Sequence, residues 1–145
     1  MTILKTRWSF LIIKHYELPL VFLVGGSVYM LLEITWRGFT HWSMGICGGV
    51  CFLGIDLFEI LQSGCHIAKK CLFGSFFITL NEFITGCIVN LLLGWNVWDY
   101  SHYIFNLLGQ ICALYSALWF LLCFPAFKIA RLMKDKFFSP KKALQ

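Results

Sequence analysis

The sequence predicts an all-α integral membrane protein, built as a four-transmembrane-helix up-down bundle. Three observations lead there. Of 145 residues, 59% are hydrophobic and only 13% charged, against roughly a quarter charged in a soluble domain. Four apolar stretches are long enough to cross about 30 Å of hydrocarbon at about 1.5 Å per residue. The connections between them are short, which makes sequence neighbours antiparallel.

The N-terminal segment, residues 1–17, carries Lys5, Arg7 and Lys14 around the apolar stretch Trp8–Ile13. Lys14 and Glu17 interrupt that stretch and no small-x-small site follows, so it is read as a retained interfacial cytoplasmic segment with its cations towards lipid phosphates. The transmembrane domain then spans 18–128, with helices expected at about 18–36, 43–61, 71–94 and 104–127. The first contains one acid, Glu33; the second carries Asp56 and Glu59 towards its end; the third has Glu82 near its centre; the fourth has no charge. Pro125 is expected to end or kink the fourth helix. Residues 129–145 form a basic cytoplasmic tail, helical until Pro140 and disordered beyond.

Orientation follows from the cations. Lys5, Arg7 and Lys14, then Lys69 and Lys70, then Lys128, Arg131, Lys134, Lys136, Lys141 and Lys142 fall on one side, eleven against Arg37 alone on the other. The positive-inside bias places both termini and the second loop in the cytoplasm. Trp36, Trp42, Trp95, Trp98, Tyr100 and Tyr103 gather at the other face as an aromatic belt. The net charge of +5 is therefore read as membrane orientation, and no nucleic-acid partner is expected.

Polar residues inside the bilayer carry the functional information, because a charged side chain at the helix centre costs about 2.5–3.5 kcal/mol on insertion scales. Gly26, Tyr29, Glu33 and Arg37 share one face of the first helix, with Glu33 and Arg37 at ion-pair spacing. Thr79, Glu82, Gly86 and Asn90 form a stripe on the third, so Glu82 should face the bundle interior. Asn106 and Gln110 are expected one turn apart on the fourth. The spacing Gly45-x-x-x-Gly49 suits close helix packing. If these faces converge, Glu33, Arg37, Asn90, Asn106 and Gln110 line a polar cavity open to the outside, with Glu82 at its centre and Asp56 and Glu59 below. Trp36, His41, Trp42, Trp95, Trp98 and Asp99 form its outer rim, with Arg37 and Asp99 placed to pair across the loops.

No metal or cofactor is expected. The seven cysteines contain no CxxC pair, and they read as reduced packing thiols. Neither a nucleophile-base pair nor an HExxH motif is present, so enzymatic activity is not expected. Three functions fit. The first is a transport-type protein for an unknown small solute or ion, working as a homo-oligomer or with a separate partner subunit. The second is a pore-forming, holin-like protein. The third is a non-transporting lipid- or cofactor-binding membrane subunit.

The stretches Leu31-Leu-Glu-Ile-Thr-Trp-Arg-Gly-Phe-Thr-His-Trp-Ser43, Asn81-Glu-Phe-Ile-Thr-Gly-Cys-Ile-Val-Asn90 and Gly94-Trp-Asn-Val-Trp-Asp-Tyr-Ser101, followed by Phe105-Asn-Leu-Leu-Gly-Gln110, resemble the small bacterial membrane proteins of the putative ABC-transporter type IV family. The resemblance covers about residues 18–128. It implies a permease of the bacterial cytoplasmic membrane, and its motif positions overlap the polar faces derived from spacing. The chain carries no G-x-x-x-x-G-K-[ST] phosphate loop, and its second loop of about nine residues offers little docking surface. An energising ATPase would have to be another chain.

Overall fold

The computed structural model describes residues 2–62 and 64–137, with side chains from residue 18 to 136 in those stretches. It is mostly helical: α1 is Thr2–Arg37, α2 Trp42–Leu61, α3 Ile67–Gly86 and α4 Ala113–Phe137. Between α3 and α4 come a π-helical turn, Cys87–Leu92, and a two-residue antiparallel pair, β1 (Asn106–Leu107) with β2 (Ile111–Cys112). Among the described residues, four helical stretches are long and apolar enough to cross a membrane: Leu18–Arg37, Trp42–Leu61, Ile67–Leu92 and Ala113–Lys136.

Two boundaries differ from the sequence reading. The N-terminal segment is helical from Thr2 and joins the first span without a break, Pro19 included. The fourth helix begins at Ala113, not 104, and runs through Pro125 to Phe137 without ending there. A proline is accommodated inside a membrane helix because neighbouring groups take up the freed carbonyl. The orientation of Lys5, Arg7 and Lys14 and the conformation of 139–145 lie outside the described residues.

Helix starts have local causes. His41 caps α2 and His66 caps α3, each ring Nδ1 accepting from the backbone N–H two residues on, at 3.3 Å. These caps satisfy amide groups that the first turn leaves without partners. They account for two of the four histidines.

Phe22 lies against Gly49 and Met30 against Gly45, which fixes the α1–α2 register. Gly26 permits the approach: a Cβ there would stand 2.5 Å from the Gly45 carbonyl oxygen. Small residues bring backbones together where apolar lipid supplies no hydrophobic drive. Across α2 and α3, Phe58 stacks on Phe73 with ring centroids 4.0 Å apart. The larger core cluster includes Val21, Cys51, Phe52, Ile55, Ile78 and Phe127, with Cys71 and Cys123 fully enclosed. A smaller one gathers Tyr29, Met44, Val89, Val97 and Trp98 towards the loop end. Apolar side chains such as Leu23, Leu31, Phe76, Leu92 and Leu121 point outwards, the pattern a hydrocarbon solvent allows.

Candidate functional site

Glu82 sits in the interior of the bundle, 3% exposed. Its Oε1 accepts from the Tyr29 hydroxyl at 2.5 Å and its Oε2 from the Trp119 indole N–H at 2.7 Å. The two donors come from α1 and α4 and stack on each other, with ring centroids 5.4 Å apart. One carboxylate thus ties three helices together. No lysine or arginine lies within ion-pair distance of it among the described residues.

The other helix acids are held differently. Glu33 pairs with Arg37 one turn on and also accepts from the Thr40 hydroxyl at 2.5 Å. Glu59 is paired with Lys70 at 2.7 Å, both buried. Asp56 lies 3.7 Å from Lys134, whose ammonium also donates to the Asp56 carbonyl at 3.3 Å. At this lysine end Glu59 and Asp56 thus each have a counter-charge, from α3 and α4 respectively.

At the opposite end the chain folds back on itself. Asn90, in the π turn, donates to Gln110 Oε1 at 2.8 Å and to the Trp98 carbonyl at 3.1 Å, and its Oδ1 accepts from the Val97 amide at 2.6 Å. The Trp98 indole donates to the Gln110 carbonyl at 2.9 Å, and Arg37 donates to the Val97 carbonyl at 3.1 Å. Gly86 makes room for this assembly, since a Cβ there would meet Gln110 Oε1 at 2.6 Å and Trp98 at 2.9 Å. Glu33, Arg37, Asn90 and Gln110 therefore belong to one connected network. Every buried side-chain nitrogen and oxygen among the described residues has a hydrogen-bond partner.

Several sequence expectations are corrected here. Asn106 and Gln110 do not share a helical face. They belong to the hairpin, where Asn106 is exposed and donates to the Ser101 and Tyr103 carbonyls while its Oδ1 accepts from the Gly109 amide. Arg37 and Asp99 do not pair with each other. Asp99 instead accepts from the Ser101 amide and hydroxyl, both at 2.8 Å, and that backbone bond holds its carboxyl below its ordinary value. Trp98 is not a rim residue but a buried one, 7% exposed, because its N–H has an internal acceptor.

The remaining rim residues do lie near the surface. Trp36 is exposed and donates to the Tyr115 hydroxyl at 3.1 Å. His41, Trp42 and Trp95 form a mutual cluster with ring centroids 5.3–5.6 Å apart. Spacing alone did not single out Trp119, Lys70 or Lys134 as partners. Lys70 and Lys134 looked like orienting cations at the membrane edge, and Trp119 like one more apolar residue of a charge-free helix.

Two cavities flank these groups. One, of about 280 Å³, lies between α1 and α4 and is lined by Val28, Tyr29, Phe52, Trp119 and Ala126 among others. The other, of about 250 Å³, lies between α2 and α3 under Trp42 and Trp95, with Asn81 and Thr85 on its wall.

No solved structure matches the chain. The family model described as Putative ABC-transporter type IV matches residues 10–144. With four helices fit to span a bilayer and that match over nearly all its length, the chain is a multi-pass membrane protein that belongs to the Putative ABC-transporter type IV family.

Proposed function

We propose that the chain is the membrane-spanning part of a transporter, a permease-type protein that moves a small solute or ion across the bacterial cytoplasmic membrane. Its helices cross up and down, with both termini in the cytoplasm, as the cation asymmetry directs. Glu82 is the group that handles a proton, a cation or the cationic part of a solute. The observation carrying this reading is the contrast among Glu33, Asp56, Glu59 and Glu82: of these, Glu82 alone is held only by neutral donors. A fixed lysine would cancel a carboxylate permanently. Hydroxyl and indole donors orient it and leave its charge to be met by something mobile.

The polar groups of the outer half, Glu33, Arg37, Asn90 and Gln110, line the route between the outside and Glu82, and Asp56 continues it inwards. Four helices enclose little aqueous volume, so the working unit is a homo-oligomer or includes a partner subunit, and any ATP-driven step belongs to that partner.

Purified protein in liposomes tests the reading, with proton, alkali-cation and metabolite fluxes followed against Glu82→Gln. Wild type should support flux of at least one of these species and Glu82→Gln should fall to the protein-free background. Wild-type liposomes as tight as empty ones, or equal flux through the variant, would overturn it.

A further inference from the structure

We infer that the cavity between α1 and α4, entered sideways from the hydrocarbon, binds a lipophilic organic cation whose charge rests against Tyr29 and Trp119, in front of Glu82. The inference rests on the transport reading of Glu82 and names the chemical class of its ligand.

The cavity, about 280 Å³, is walled by α1 and α4, which are not packed tightly against each other, and floored by Phe52 of α2 and Ile78 of α3. Its rim residues Val28, Leu32 and Ile129 are exposed. On helices that cross a membrane, such a rim opens to acyl chains, not to water. An apolar body enters it without losing solvation.

The wall supplies the second half of the recognition. Tyr29 and Trp119 both line the cavity, and both donate to the Glu82 carboxylate. Aromatic rings attract cations through their electron-rich faces, more strongly in a desolvated site. Behind them stands a carboxylate with no lysine or arginine in ion-pair range among the described residues. A neutral apolar ligand would use only the walls, and a small hydrated cation would lose its water on entry. An organic cation with an apolar body uses both walls and charge. The cavity under Trp42 differs in its wall: its polar groups are Ser43, Asn81 and Thr85, and neither of the rings that donate to Glu82 lines it.

The test uses the full chain in nanodiscs with tetraphenylphosphonium as probe and uncharged triphenylphosphine oxide as its control. Saturable binding of the cation is expected, at least tenfold tighter than the neutral compound, and weakened at least tenfold by Glu82→Gln. Ala126→Phe, which fills the cavity away from the hydrogen bonds, should weaken binding to a similar degree, so the idea stays testable if Glu82→Gln fails to fold. Equal binding of charged and neutral probes, or unchanged binding in folded Glu82→Gln or Ala126→Phe, would overturn it. Flux that depends on Glu82 without phosphonium binding would remove the ligand class and keep the transport reading. Glu82-dependent phosphonium binding without any flux would do the reverse.

Discussion

Glu82 at mid-bundle and Glu59 at the lysine end are both buried carboxylates, yet their surroundings have nothing in common. Glu59 meets Lys70 at 2.7 Å across a single short hairpin. Glu82 is reached by a tyrosine 53 positions earlier and a tryptophan 37 positions later. The first arrangement neutralises a charge with near neighbours and holds two helices in register. The second brings three helices to one carboxylate, with no lysine or arginine of the described residues in ion-pair range. On the proposed reading the buried ion pair serves the fold, and the buried acid with only neutral donors serves transport.

The comparison can be broken most severely at the lysine end. Lys70→Met leaves Glu59 buried without its ammonium, and breaking a buried pair costs about 3–5 kcal/mol. Chemical unfolding in detergent should show that loss. The double replacement Glu59→Leu with Lys70→Met should recover most of it and leave flux intact. Persistent loss of flux in a stable double variant would move Glu59 into the working machinery.

Tyr29→Phe acts at mid-bundle and should cost less, about 1.5–3 kcal/mol for a hydrogen bond to a charged group. Its larger effect should be on function, because the carboxylate keeps Trp119 but loses one of its two restraints. Flux measured beside unfolding separates the two: a transport defect exceeding the stability defect is expected.

Lys134→Met should be milder still, about 1 kcal/mol or less, since the Lys134–Asp56 separation is 3.7 Å and the lysine is partly exposed. Thermal unfolding of this variant against Lys70→Met ranks the two pairs.

The smallest effect belongs to Asp99. Its folded-state value is lowered by the Ser101 amide from an ordinary 3.8, so the turn gains stability that is present above that value and lost as pH falls through the folded one. Fluorescence of the neighbouring tryptophans, followed down through pH 4 to 2, should report loosening of this loop in wild type. Asp99→Asn should flatten that change.

How much of this was legible in the sequence depends on what each signal measures. Apolar length located all four spans, because bilayer thickness is a fixed ruler. It failed at 104–112, where Ile104, Phe105, Leu107, Leu108 and Ile111 read as the start of a helix. The chain there turns through positive φ at Phe105, Leu108 and Gly109, and apolar side chains such as Phe105, 85% exposed, hide a turn from any hydropathy count. The Asn106-x-x-Gly109 pair was the available hint, since asparagine and glycine are the residues turns favour. Helical spacing put Glu82, Gly86 and Asn90 on one stripe, and all three are engaged inwards. It could not name Trp119 or Tyr29 as partners of Glu82, since periodicity along one helix says nothing about which neighbour it meets.

The π-helical turn at Cys87–Leu92 has a consequence for traffic through the molecule. It carries the third span on to Leu92 in a widened turn, after which residues 93–112 settle back over the end of the bundle, Trp98 and Gln110 inserted beside Gly86. That end is thereby corked by the protein's own backbone. Anything reaching the middle from there must first uncork a knot of five hydrogen bonds centred on Asn90 and Gln110, whereas the flank between α1 and α4 asks for no such rearrangement.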